Sequence, residues 1–418
     1  MEYRKIDKLS YNLHLIKTDK FKTIFFKFVF RDDIKKEDIT FRNFLTEMLG
    51  TSCKNYPSNR LLSIKCEELY NLTYSFSNTR IGNSILTEMT FSFIEPKYLG
   101  EDINENCISF MNELIFNPNV CDGKFDKKNF DITYDYLKER IEEANNNPNF
   151  YAEKTLKEIM CHDNVSSLQM VGYLDDLDKI TEENLYEYYK NFISKNIVDI
   201  FVVGNIDFYE IEKLIEKYIK INVIKKPKKE ILNNFKSDRK RCQTKIEESI
   251  FNQSKLLIGC SIKDLTLEEK NYALVLYNMI LGNSPESLLF KNVREKNSLA
   301  YNVSSNYIKN DNILIIKTGI NKDSFELAVK EVKKQIKNIK EGKFTLEHLE
   351  NCKTLIKSLL CEFEDYQSSI SEYYFALEYL NQDEKDVKLK KIDKITKEDI
   401  INVSKKVNLD TIYFLKEK

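Results

Sequence analysis

The chain has 418 residues, 42 % of them apolar, which is enough for two domains of roughly 200 residues each with its own core. Lysine plus arginine (65) and aspartate plus glutamate (66) nearly cancel, so no global field argues for a nucleic-acid partner or an anionic membrane surface. The first twenty residues hold no uninterrupted apolar core, and no later run approaches the ~18 apolar residues of a membrane span, so a cytoplasmic location with no membrane partner is expected. Nine cysteines, an odd number without a C-x-x-C pair, fit buried thiols in a reducing compartment better than a disulfide frame or a zinc cage.

In chain order, the first elements are strands at Leu13 to Ile16 and Thr23 to Phe30, the second too continuously apolar to face water on either side. A helix starts near Lys36, with Phe41, Phe44, Leu45, Met48 and Leu49 on one face. A second helix near Leu61 to Tyr70 leads to a hairpin, in which Leu72, Tyr74 and Phe76 alternate with small polar residues and Ile85 to Phe93 do the same beyond a Gly82-Asn83 turn. Helices are expected near 102–116, 125–144, 149–160 and 182–193, then a strand from Ile197 to Val203 and a helix from Tyr209 to about Ile219.

The second half repeats this plan. DKITEENL from Asp178 and DKITKEDI from Asp393 begin 215 residues apart, and each starts a helix at a threonine cap and is followed by a strand. Both halves also open with an aliphatic strand (Lys255 to Cys260 in the second) and pass through helices to a hairpin (Leu299 to Tyr307 with Ile313 to Gly319). The economical reading is an α+β fold of two homologous domains from an internal duplication, residues 1–223 and 248–418, each with a largely antiparallel sheet and helices packed on it. Residues 224–247 between them carry Lys225-Lys226-Pro227-Lys228-Lys229 and Arg239-Lys240-Arg241. They read as a solvated charged linker, because a nucleic-acid patch would want interleaved aromatics and only Phe235 is present.

The most informative stretch is GNSPESLLFKNVREKNSLAYNVSS, from Gly282 to Ser305. A turn leads into a short helix with Leu288, Leu289, Phe290 and Val293, then a strand, which places Arg294 at a helix end and Tyr301 at a strand start. The stretch resembles the C-terminal-half signature of the pitrilysin/insulinase family of zinc peptidases, in which an arginine and a tyrosine reach toward the substrate. Gly50-Thr51, Tyr56-Pro57 and the helix at 345–360 extend the likeness over nearly the whole chain. The resemblance implies two domains like those of the mitochondrial processing peptidase, facing each other around a central chamber that holds an extended peptide.

Active members of that family carry H-x-x-E-H on a first-half helix, two histidines for zinc and a glutamate as general base. Counting back from Tyr56-Pro57, the three positions fall on Asn43, Thr46 and Glu47, and none matches. An amide, a hydroxyl and one carboxylate are a poor set for zinc. The family's third ligand would fall at Glu139 or Arg140. The three histidines, His14, His162 and His348, are far apart in sequence, and Cys161-His162-Asp163 is the one local cluster that joins histidine to cysteine and a carboxylate, though consecutive residues rarely converge on one ion. No G-x-S-x-G elbow is present.

The resemblance therefore implies a non-catalytic subunit that binds no cofactor itself. Some family members are heterodimers, and the zinc is expected on a homologous partner with an intact H-x-x-E-H box. Arg294 and Tyr301 would supply oxyanion donors in trans to an extended peptide substrate. The alternative is a family member that has lost peptidase work altogether and serves as a scaffold or peptide-binding protein.

Overall fold

The computed structural model describes residues 1–221, 231 and 235–418. These form two compact units that interleave along the chain. The first comprises Met1–Glu143, Gln169–Ile231 and Phe363–Tyr379, and the second Ala144–Leu168, Leu232–Glu362 and Leu380–Lys418.

The first unit is built on a six-stranded sheet. Strands β1 (Glu2–Asp7), β2 (Asn12–Lys17), β3 (Thr23–Asp33), β4 (Thr73–Ile81) and β5 (Ser84–Ile94) belong to it; β6 (Val120–Cys121) and β7 (Lys124–Phe125) make a separate short ribbon, and β8 (Ile197–Gly204) completes the sheet in the order β1-β2-β8-β3-β5-β4. All neighbours are antiparallel except β2 and β8. Strand β3 shows why TIFFKFVF is apolar throughout. Phe26, Phe28 and Phe30 enter the main core with Phe44, Met48 and Met111 from two helices. The other face carries Lys27 and Arg31, both buried, and is covered by the helix Gln367–Tyr379. Lys27 is paired with Glu88 at 2.8 Å, and the Arg31 guanidinium lies 4.1 Å from the centre of the Tyr379 ring.

The second unit has five strands, β9 (Gln243–Ser249), β10 (Ser254–Ile262), β11 (Ala300–Ile308), β12 (Ile313–Ile320) and β13 (Val407–Glu417), in the order β11-β12-β10-β13-β9. Again one pair, β13 with β9, is parallel. Read from the opposite edge, this order reproduces β2-β8-β3-β5-β4 strand for strand, so the duplication extends to sheet topology. Thr181 and Thr396 both close capping boxes on the helices that lead to β8 and β13. One face of the second sheet packs on the helices Leu274–Leu281, Phe325–Lys340 and Leu346–Glu362. The other receives Ala152, Leu156 and Met160 of the helix Pro148–Met160, against Leu257, Ile315, Tyr413 and Leu415.

These contacts explain how the units depart from the contiguous halves 1–223 and 248–418. Each half of the chain gives one helix to the far face of the other half's sheet, because a sheet apolar on both faces must be covered twice. The expected linker 224–247 is also altered at its end. Gln243–Ser249 is a strand, hard to read as one because QTKIEES is polar and lies at an exposed edge. Arg239 is not a solvated charge: it donates to Asp410 Oδ1 (2.9 Å), Thr411 Oγ1 (2.7 Å) and the Ile159 carbonyl (2.6 Å), as the buried Asp410 carboxylate demands. The basic run Lys225 to Lys229 lies outside the described residues. Among the described residues no helix is long and apolar enough to cross a membrane.

Candidate functional site

The helix Lys36–Thr51 places Asn43, Thr46 and Glu47 on neighbouring turns, as their spacing requires. Its apolar side, with Ile39, Phe44, Met48 and Leu49, enters the core, and Phe44 stacks on Phe130 with ring centres 4.5 Å apart. The polar positions are also buried, Asn43 to 4 % exposure and Thr46 to 5 %. They are satisfied by one another and by strands β4 and β5. Asn43 Nδ2 donates to the Met170 carbonyl at 2.9 Å. Asn78 Nδ2, on β4, donates to Asn43 Oδ1 and Thr46 Oγ1, both at 3.0 Å. Asn78 Oδ1 accepts from Thr87 Oγ1 (2.6 Å), which in turn accepts from Arg42 Nη1 (3.1 Å), and Arg42 Nη2 donates to Asn196 Oδ1 (2.6 Å).

Glu47 stands apart from this network, whose one charged member is Arg42. Its carboxylate accepts from Arg140 Nη1 at 3.0 Å, a pair between the helices Lys36–Thr51 and Lys127–Asn146. Partial burial pushes the Glu47 carboxyl up, and the Arg140 charge and hydrogen bond pull against that rise. Of the two candidates for the third ligand position, Arg140 is the one brought to the box, while Glu139 is exposed.

The donor set does not fit zinc. Thr46 Oγ1 is committed to the Arg42 and Asn43 carbonyls, Asn43 to Asn78 and Met170, and the one carboxylate faces a guanidinium that would repel a divalent cation. Among the described residues no three His, Cys, Asp or Glu side chains are grouped as a metal site. The histidines are dispersed: His14 is buried between Tyr3 and Asp199, His162 is exposed beside Asp163, and His348 is buried in a helix. Cys161 is in the core, so it and the exposed His162 do not share an environment. Burial lowers the His348 imidazole.

Arg294 and Tyr301 are brought together in the second unit. Arg294 lies in a wide turn of helix, Phe290–Lys296, that anchors Val293 and Leu289 in the core and leaves the guanidinium exposed. Its Cζ sits 4.6 Å from the Phe290 ring centre and 5.9 Å from that of Tyr301. Tyr301 is 81 % exposed, at a register shift between Ala300 and Val303 on edge strand β11. Gly282 holds the stretch in place. A Cβ there would come within 2.8 Å of the Ser305 backbone nitrogen, which donates to the Gly282 carbonyl at 3.1 Å. Ser305 Oγ completes the anchor on Asn278 Oδ1 at 2.7 Å.

Sequence reasoning did not find Asn78, Thr87, Arg42 and Asn196, the partners that close the box. Asn78 and Thr87 come from a strand pair and Asn196 from a helix end, all distant in the chain from the helix that carries Arg42 and the box, and nothing local in the sequence marks them as its partners.

A family model described as "Peptidase M16 inactive domain" matches residues 179–356. The chain is 31 % identical over 408 residues to the "Probable inactive metalloprotease YmfF" of Bacillus subtilis (strain 168), covering 96 % of this chain and 95 % of that protein. Among solved structures, a conserved protein from Enterococcus faecalis V583 is similar with a TM-score of 0.93 and 25 % identity, covering 100 % of this chain and 99 % of that one. A peptidase M16 inactive domain from Pseudomonas fluorescens shares the fold at a TM-score of 0.80 and 15 % identity, over 100 % of this chain and 99 % of that one.

Proposed function

This chain belongs to the peptidase M16 family, as one of its inactive members, and from that premise we propose that it is the non-catalytic subunit of a two-subunit zinc peptidase of the cytoplasm. In this reading the zinc sits on a homologous partner with an intact H-x-x-E-H box. This chain positions extended peptide and supplies Arg294 and Tyr301 to the oxyanion that forms when zinc-bound water attacks the scissile carbonyl. Arg294 contributes a fixed positive charge and Tyr301 a phenolic O–H donor.

The observation that carries the reading is the exposure of both groups together, on a stretch whose neighbours are anchored. A tyrosine 81 % exposed beside a guanidinium has little to do for the stability of its own unit. The edge strands β4 and β11 further support it, since each offers an outer row of backbone groups with which an extended peptide can pair.

The test is affinity purification of this chain from its native cells, followed by mass spectrometry. A chain bearing H-x-x-E-H is expected to co-purify near one-to-one. Recovery of this chain alone, or with unrelated proteins only, contradicts the shared site and leaves the scaffold or peptide-binding role in its place.

A further inference from the structure

The box that no longer suits zinc still presents one strong recognition group to solvent. Arg140 is 42 % exposed at its side chain and spends one N–H on Glu47. A guanidinium has five N–H donors in a fixed fork, and no second hydrogen-bond partner of Arg140 occurs among the described residues. On the adjoining turns the side chains of Asn43, Thr46 and Asn78 are neutral, and their polar atoms are taken up by one another, by Thr87 and by the Met170 carbonyl. Arg140 is also the one charge that perturbs Glu47. The locus is thus a salt bridge with a free guanidinium edge, beside neutral side chains that are already hydrogen-bonded.

Its place in the fold matters as much as its chemistry. Asn78, which donates to Thr46, belongs to β4, the edge strand of the first sheet. A peptide paired with the outer edge of β4 would run about 5 Å from that strand, within side-chain reach of the box. Ile132 and Tyr136, eight and four residues before Arg140 on the same helix face, are exposed and offer apolar contact to flanking side chains.

We propose that the former zinc locus is a carboxylate-binding subsite, in which Arg140 engages an acidic side chain or the terminal carboxylate of an extended peptide. The guanidinium edge left open by Glu47 donates charge-assisted hydrogen bonds to the incoming carboxylate, in the plane that a fork–fork pair requires. Where an active relative would use a cation to polarise a peptide carbonyl, this chain uses a cation to select an anion. The proposal rests on the reading that the chain binds extended peptide.

The experiment is fluorescence anisotropy on the full chain with three short labelled peptides of one uncharged background. The first has an amidated C-terminus, the second adds a single central glutamate, and the third has a free C-terminal carboxylate. The wild-type chain is expected to bind one of the two carboxylate-bearing probes about tenfold more tightly than the neutral one, and which probe wins identifies side chain or terminus as the source. In Arg140→Gln that ratio falls to about one, and Arg140→Lys, which keeps the charge but loses the fork, retains a part of it. The double variant Glu47→Gln with Arg140→Gln leaves no half-buried carboxylate stranded, so it separates loss of recognition from loss of fold, with thermal melting as the control. Equal binding of all three probes by the wild-type chain, or a preference that survives in the double variant, overturns the subsite alone. Failure of every probe to bind overturns the peptide-binding reading with it.

Discussion

Asp199 and Asp410 sit on the matching strands β8 and β13, both buried, and each is given partners that join a sheet to the helix on its far face. Asp199 accepts from Asn12 Nδ2 at 2.9 Å and from the Tyr379 hydroxyl, with His14 Nε2 at 3.4 Å. Asp410 meets Arg239, which also donates to the last turn of the helix Pro148–Met160. Burial by itself would raise the Asp199 carboxyl. The hydrogen bonds from His14 and Tyr379 and the Arg31 charge outweigh it and hold the group below its ordinary value. A carboxyl with a depressed folded value contributes stability that is complete above its unfolded value of about 3.9 and is lost as pH falls through the folded one. Asp199→Asn, which leaves the buried Arg31 charge facing a neutral amide, is therefore expected to cost about 3 kcal/mol at neutral pH. Thermal melting of variant and wild type should converge as pH falls below about 4, and a pH-independent difference would contradict this assignment.

The helices Pro148–Met160 and Gln367–Tyr379 are the elements that make the units interleave. Ile370, Phe375 and Tyr379 are buried in the first unit, and Phe375 lies 6.3 Å from Phe201 of β8, ring centre to ring centre. Met160 packs so closely on β10 that a Cβ on Gly259 would come within 2.5 Å of its sulfur. Phe375→Ala should cost about 3–5 kcal/mol and Met160→Ala about 2–5 kcal/mol. The informative result is the location of the damage. Hydrogen exchange is expected to rise in β3 and β8 for Phe375→Ala and in β10 and β13 for Met160→Ala, each in the sheet of the opposite half of the sequence. Protection lost in the variant's own half instead would contradict the exchange. At this scale most elements were legible, because the 3.6-residue and two-residue periods of the Lys36 helix and the Gly82 hairpin are set locally. The exchanged helices and β9 were not assigned to their sheets, since which sheet a helix covers depends on contacts between residues some 200 positions apart and QTKIEES lacks an apolar face.

At the scale of the whole molecule, the duplication was readable from two capping runs, and the strand orders agree with it. That Asn43, Thr46 and Glu47 are neighbours was readable as well, because a helix fixes which residues share a face whatever surrounds them. What surrounds them was not readable. Arg140 opposite Glu47 and Asn78 bonded to Thr46 are meetings of distant segments, and they leave hydrogen-bonded polar groups beside an exposed cation. The functional account then rests on Arg294 and Tyr301 acting on chemistry that another chain performs. The measurement that tests it most directly is the peptide-hydrolysis rate of this chain reconstituted with the proposed zinc-bearing partner, comparing wild type with Arg294→Ala and Tyr301→Phe at matched assembly. The account predicts a loss of about 10²-fold or more in kcat with the pair still formed. An unchanged rate in a fully assembled pair would contradict it, and would leave this chain as the scaffold of its complex.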